Sequence, residues 1–566
     1  MRSRILLQGL LLSSLTCVIS CQWGQKRVAQ GARAPVHTNV LAPPLALAPE
    51  AQLDLSSPPA IALAYPDLWA STVAAYARND NRALWFARGV PRKQVSGLRD
   101  AIANVAADGL DPAKYQLAAV TGWALMPDDA VALTTQAMTQ ADLSLSFAAV
   151  LLARDLQQGV IIPDQLDHRW AQTQSIDHGA LLYQAAHSEN VEAALRALAP
   201  QHPQYQQLRN ALVEYRVQAQ QSTWPLVPEE SRVKPGRSGP AIAAVRARLT
   251  ASGHLAPIEA PEVTSDDVLD ERLMEAVMRF QREHGLNDDG IPGSDTLAAM
   301  NVPLTERVRQ LELNLERWRW LPEDLGATHV LVNVPAFELI AVENRQPVLQ
   351  MRVVTGRTST PTPIFHSAIQ SVVLSPYWNV PSSILNDEVR PGLAKDPGYL
   401  RRKNMEVLRN GKPVALDSVS LRDPTVRVRQ RPGASNSLGH VKFLFPNEFN
   451  VYLHDTPSDS LFARAERSLS HGCVRLEKPF EFARWVLRES PEWDDQKIQA
   501  AMDSGRERHV KLANDIPIFL VYHTAWVNDD GALVFAKDLY GHDRRQAQAL
   551  PVRAPETMVA QEVAAN

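Results

Sequence analysis

His329-Val330-Leu331-Val332-Asn333-Val334 and Glu338-Leu339-Ile340-Ala341-Val342-Glu343 are followed by the turn Asn344-Arg345-Gln346 and a third run, Val348 to Val354. Short apolar, β-branched runs broken by turn residues are the pattern of strands. Ser371 to Ser375, Val441 to Phe445, Ile516 to Tyr522 and Ala532 to Phe535 repeat it, with a helix at Phe480 to Leu487 in between. This spacing predicts a β-sandwich or barrel over about 328–545. Residues 383 to about 435 break the pattern with a helical piece (Ile384, Leu385, Val389, Leu393), an Asn410-Gly411 turn and many arginines. They read as an insertion capping the sheet, a candidate lid. Its Arg401, Arg402, Lys403, Arg427 and Arg429 either meet an acidic ligand or form a solvated charged face.

Outward from the strands, the rest of the chain reads as helix. Val308, Leu311, Leu315 and Trp318 share one face and stop at Pro322, a linker helix over 303–327. Residues 235–302 form a compact unit. Ile242, Val245 and Leu249 precede Gly253, and Leu273, Val277 and Phe280 run between a candidate N-cap, Asp270, and a stop at Gly285. The run Glu275 to Gln281, then Gly285-Leu286, Asp289-Gly290-Ile291-Pro292-Gly293 and Thr296-Leu297, resembles the small three-helix peptidoglycan-binding domain. That resemblance implies a cell-wall ligand. Residues 61–234 read as a helical scaffold; Val95, Leu98, Ile102 and Val105 precede Asp108-Gly109, and Leu143 to Leu152 stops at Gly159. Ala- and Pro-rich residues 22–60 read as a flexible tether, and 546–566 as a C-terminal tail. The fold class expected is therefore multidomain α+β.

The first 21 residues read as an export signal, with Arg2 and Arg4 before an apolar stretch from Ile5 to Ile19. Val18-Ile19-Ser20-Cys21 resembles the bacterial lipobox, which implies a lipidated Cys21 and a membrane-anchored, periplasmic protein. The chain has 566 residues and three cysteines, Cys17, Cys21 and Cys473. Cleavage before Cys21 and its lipidation leave one thiol, so a disulfide framework is excluded. A net charge of −4 argues against a general nucleic-acid binder. No uninterrupted apolar stretch approaches the roughly 20 residues of a spanning helix.

The chemistry-bearing residues are His454 and Ser470-His471-Gly472-Cys473. A reactive thiol needs a base or positive field beside it, and a turn glycine lets backbone N–H groups point at a developing oxyanion. Arg475 offers a guanidinium fork for a carboxylate. From the residues alone three readings stand: two histidines and a cysteine with structural roles, a zinc site on His454, His471 and Cys473, or a Cys nucleophile with a His base.

His454, the fifteen residues 455–469 that begin Asp455-Thr456, then Ser470-His471-Gly472-Cys473-Val474-Arg475 resembles the active-site motif of the YkuD-type L,D-transpeptidases. Arg429 to Gly433, Leu438 to Phe443, Thr524 to Val527 and Leu539-Tyr540-Gly541 are similar to the large YcbB-like branch. Arg475 departs from the Asn of many members. The resemblance implies Cys473 as nucleophile and His454 as proton donor and acceptor. It further implies oriented support from the Asp455 backbone, oxyanion donors at the backbone N–H groups of Gly472 and Cys473 with His471, and substrate contacts from Ser470 and Arg475. It implies no metal and no cofactor. The activity implied is 3→3 cross-linking of peptidoglycan stems with release of terminal D-Ala. The alternatives are an L,D-carboxypeptidase using the same thiol and a non-catalytic, lipid-anchored wall-binding protein. Peptidoglycan stems, the membrane and other wall-synthesis proteins are the implied partners.

Overall fold

Leu453 and Val474, each wholly buried, lie side by side on two short parallel strands at the centre of the β-rich region. The computed structural model describes residues 52–127, 130–166, 176–228, 238–256 and 268–550. The export signal, Cys17, Cys21 and most of the tether and tail lie outside the described residues. Within them, no helix is long and apolar enough to cross a membrane.

The β-rich region has strands β1 (His329–Asn333), β2 (Glu338–Glu343), β3 (Gln346–Gly356), β4 (Phe365–Leu374), β5 (Val441–Leu444), β6 (Leu453–His454), β7 (Ser468–Ser470), β8 (Val474–Leu476) and β9 (Arg508–Val521). Their order is β7-β3-β8-β6-β5-β4-β9-β1-β2, and β2 also pairs with β3. That last pairing closes the sheet on itself, so the barrel alternative of the sequence reading is the one adopted. Among the described residues, closure leaves only the short β7 with a single partner strand. Alternate residues point inward: Val330, Val332, Leu339, Ala341, Val353, Val372, Phe443, Leu453 and Val474 join helix Pro479–Val486 in one core.

The insertion is a small domain with its own core of Val380, Ile384, Leu385, Val389, Leu400, Val407, Val426 and Val428. It holds the expected helical pieces and also a four-stranded sheet, ordered Trp378–Asn379, Val426–Gln430, Met405–Arg409, Lys412–Val414. The many charges between its apolar residues hid the strands from the sequence reading. Arg429 is stacked 4.0 Å over the Tyr377 ring and paired with Glu406 at 2.5 Å, and Arg402 is paired with Asp396. Those two cations are satisfied internally.

In the scaffold, helix α1 (Thr135–Gln158) is capped by the Thr134 hydroxyl and ends at Gly159, whose φ of 85° a side chain would resist. Helix α2 (Pro203–Gln221) follows. The scaffold begins earlier than the sequence reading placed it: Leu53 is buried and its N–H donates to the Asn81 carbonyl, so part of the expected tether is folded. The three helices Pro240–Ala251, Glu271–Glu283 and Ser294–Met300 form the compact unit, with Asp270 accepting from the Leu273 N–H and Gly285 at φ 62°. Val227 and Trp224 are drawn into it, Trp224 lying 3.8 Å under the Arg248 guanidinium.

The expected linker helix, α3 (Leu304–Arg319), is not a spacer. It is buried on several sides and joins scaffold to barrel. Glu316 accepts from the Val160 and Ile161 N–H groups at 2.5 and 2.8 Å and pairs with Arg319 at 2.8 Å, while Arg319 also donates to the Tyr205 hydroxyl and the Asp108 carbonyl. On the other side Arg317 donates to the Tyr522 carbonyl at 2.9 Å and pairs with Asp543 at 2.6 Å. Asn314 exchanges two 2.9 Å bonds with Thr524. The charged residues Glu316, Arg317 and Arg319 of this helix are paired inside the protein. The C-terminal helix His542–Ala549 is also part of this body, with Gln546 fully buried and donating to the Leu313 carbonyl, so the tail starts later than residue 546.

Burial lowers the pKa of His202 to about 4 and of His523 and His542 to about 3. These rings stay neutral when folded, but the unfolded chain protonates them below about 6.5. Stability therefore falls as pH drops from about 6.5 toward these folded values. Thermal melts should show a steadily lower midpoint from pH 7 to pH 4.5; a constant midpoint would contradict it.

Candidate active site

β6 and β8 run parallel, with Leu453 opposite Val474 and His454 opposite Arg475. Because strand side chains alternate, Leu453, Val474 and Leu476 enter the core together. Tyr452, His454, Cys473 and Arg475 then share the other face. His454 and Cys473 are diagonal neighbours across the pair, within roughly the 7–8 Å between α-carbons typical of such positions. On its other side His454 faces Lys442 of β5.

The His454 ring is 5% exposed, and its Nδ1 lies 2.5 Å from the Asp455 carbonyl oxygen. A carbonyl only accepts, so Nδ1 carries the proton in the neutral ring and Nε2 is the basic nitrogen. Burial, then the charges of Arg475 and Lys442, push the His454 pKa down to about 3, against the Asp455 hydrogen bond that raises it. The Asp455 carboxylate is fixed in turn by the N–H groups of His440 (2.7 Å) and Thr456 (2.6 Å). Gly439, at φ 59°, leaves the space: a Cβ there would come within 2.2 Å of that carboxylate.

Cys473 is half-buried, and its thiol points at the Asn450 carbonyl, 3.9 Å away. Burial raises its pKa, and hydrogen bonding from Tyr452 and the Arg475 charge oppose that. The resting pair is thus a neutral thiol and a neutral imidazole. The Tyr452 ring is 5.7 Å from that of His454. Tyr452 lies two residues before His454, and the sequence reading gave it no role; alternation along β6 is the signal that places it beside the thiol.

The turn carrying the thiol is tightly held. Ser470 Oγ donates to the Cys473 carbonyl at 2.5 Å and accepts from the Gly472 N–H at 3.0 Å. Gly472 has φ 113°, a conformation that favours glycine. Thr362 Oγ1 donates to the Gly472 carbonyl at 2.8 Å and accepts from the Gly356 N–H at 2.8 Å. Tyr540 donates to the Gly356 carbonyl at 2.5 Å and accepts from the Thr362 N–H at 3.3 Å. His471 is exposed and lies against Arg357 and, at 2.9 Å, against Glu388 on the cap segment Leu385–Val389.

Two expectations are corrected. Ser470 is 2% exposed and braces the turn, so it is not a substrate-binding side chain. The Gly472 N–H is engaged by Ser470 and is not presented as an oxyanion donor. The Cys473 N–H has no acceptor among the described residues. Arg475 is half-buried, its Nε has no partner among the described residues, and burial lowers its pKa. Among the described residues no group of three or more His, Cys, Asp or Glu side chains is arranged to hold a metal ion.

Residues 327–498 match the YkuD family, described as the L,D-transpeptidase catalytic domain. This part of the chain is a YkuD-type L,D-transpeptidase domain. Residues 238–300 match the family described as "Putative peptidoglycan binding domain", and residues 70–212 match a scaffold domain family. The chain is 34% identical over 242 residues to a "Putative L,D-transpeptidase" of Haemophilus influenzae, covering 42% of this chain and 48% of that protein. It therefore spans about half the length of that curated relative. Among solved structures, an L,D-transpeptidase from Mycobacterium smegmatis is 14% identical, covering 34% of this chain and 58% of that one, with a TM-score of 0.18. One from Xylanimonas cellulosilytica is 15% identical, covering 52% and 99%, with a TM-score also of 0.18.

Two outcomes follow for the L,D-transpeptidase domain. Ser470→Ala leaves the Gly472 N–H and Cys473 carbonyl unmatched, which costs about 1–3 kcal/mol; acylation of Cys473 should slow about tenfold or more, read by intact-mass kinetics, while an unchanged rate would show the turn holds without it. Because His454 stays neutral until pH falls through about 3, the acylation rate should show no inflection near pH 6.5 between pH 5 and 7.5. A titration there would mean an ordinary, solvated imidazole.

Proposed function

We propose that the chain is a peptidoglycan L,D-transpeptidase acting through a Cys473 thioester. What carries this reading is the shared sheet face of His454 and Cys473, with His454 Nε2 as the basic nitrogen. The donor is a tetrapeptide stem. The Cys473 sulfur attacks the carbonyl of its third residue while His454 Nε2 takes the thiol proton. The carbonyl oxygen becomes an oxyanion that the Cys473 N–H is free to meet; one such donor is worth about 3 kcal/mol. The C–N bond to terminal D-Ala breaks, and the imidazolium returns the proton to the departing amine. An amine of a second stem then attacks the thioester, His454 takes its proton, and the thiol is regenerated as the 3→3 amide forms. One amide replaces another, so no external energy source is required.

Arg475, beside both groups, stabilises the thiolate and suits a stem carboxylate. The cap, touching the catalytic turn through Glu388, is suited to shielding the thioester from water while admitting an amine. The peptidoglycan-binding domain supports a wall substrate. Export as a lipoprotein through Cys21, and a periplasmic location facing the wall, complete the reading.

Incubation of the protein with disaccharide-tetrapeptide, followed by mass spectrometry, tests it. Dimers lacking one D-Ala should form, and Cys473→Ala should abolish them together with carbapenem acylation at that residue. Monomeric tripeptide alone would make the protein a carboxypeptidase, and neither product would make it a binding protein.

A further inference from the structure

A second feature of the molecule lies away from the thiol. A cavity of about 1080 Å³ opens between the scaffold, the end of α3 and the outer face of β1 and β2. None of its lining residues belongs to the His454–Cys473 site. Its volume lies just above the roughly 300–1,000 Å³ of typical ligand pockets.

Three indoles, Trp318, Trp320 and Trp526, line it with His202, His523 and Gln157. Trp318 is stacked between His202, at 4.4 Å, and His523, at 4.7 Å. Trp318 and His523 are only 4% and 3% exposed, yet among the described residues Trp318 Nε1 and both ring nitrogens of His523 have no hydrogen-bond partner, and neither does Gln157 Oε1. Buried polar atoms are rarely left unpaired, and several gathered at one cavity call for a ligand that pairs them. Burial keeps both histidines neutral at physiological pH. A neutral imidazole offers one donor and one acceptor, the indole a donor, and the amide oxygen an acceptor.

The ligand must therefore both donate and accept. A cation only donates and would leave the indole N–H unmatched. An anion only accepts; the arginines in the lining, Arg319 and Arg345, are already paired with Glu316 and Asp324, and Glu338 and Asp529 would repel it. Hydroxyl and acetamido groups do both, and the apolar faces of sugar rings match indoles such as the half-exposed Trp526. The geometry points to this cavity as a binding site for an uncharged, N-acetylated amino-sugar strand, the glycan part of the wall polymer. The inference rests on the proposed wall substrate and deepens it: the glycan is held at the scaffold–barrel junction while its peptides react elsewhere on the barrel.

The test uses the full chain and a peptide-free probe, the tetramer of N-acetylglucosamine, in isothermal titration calorimetry. The wild type should bind, and Trp526→Ala should weaken binding at least tenfold, with thermal melts to establish that it folds. Gln157→Ala, at a half-buried position, should weaken binding several-fold and decides the matter if Trp526→Ala does not fold. No binding by the wild type, or wild-type affinity in the folded variant, overturns the site. The probe has no peptide, so its binding is read independently of thiol chemistry. A chain that binds it but forms no cross-links fails only the transfer reading.

Discussion

The parallel pairing of Leu453-His454 with Val474-Arg475 is the constraint on which the catalytic region depends. Only two residues of each strand take part. The pairing is held in register by burial of Leu453, Val474 and Leu476 in the barrel core. A slip of one residue would turn these side chains outward and carry His454 and Cys473 into hydrocarbon. The core thus sets the chemical geometry without touching it.

Around that pairing the polar contacts form successive layers. Asp455 orients His454 through its carbonyl and is itself locked by two backbone N–H groups. Ser470 and Thr362 hold the turn before Cys473, and Tyr540, from near the far end of the described chain, holds the segment that carries Thr362. Each layer fixes the one inside it, as a site built for repeated chemistry requires. The same logic joins the domains. α3 buries Glu316, Arg317 and Arg319, and each finds partners on the scaffold or on the barrel. Removing one partner of such a set leaves a buried charge unpaired, so the junction specifies a defined arrangement of the two bodies. The cavity with its unpaired indole and imidazole nitrogens sits at that junction, where pockets often form between domains.

Much of the fold was legible in residue order. Strand runs such as Val330 to Val334 and helix stops such as Gly159 and Gly285 are local, so their signals survive in any context. The cap strands Met405–Arg409 and Val426–Gln430 were not legible, because charged residues alternate with the few apolar ones that face a small core. Nor was the burial of α3, whose charges look solvent-facing until their partners, more than a hundred residues away, are known. At the site, the His454 and Cys473 motif was legible as a resemblance. The occupation of the Gly472 N–H by Ser470 was not, since both belong to the same quoted motif and only the turn's geometry pairs them.

Residue order by itself determined which groups are available: one thiol in the catalytic region, a histidine nineteen positions before it, a glycine where the backbone must turn, and apolar runs that demand a shared core. Those are covalent and local facts. The tertiary structure alone decided which form these groups take. Burial beside Arg475 and Lys442 keeps His454 a neutral base, barrel closure brings β8 against β6, and the junction with the scaffold leaves a cavity lined with unpaired nitrogens. Proton affinity, alignment and desolvation depend on neighbours brought together from distant parts of the chain.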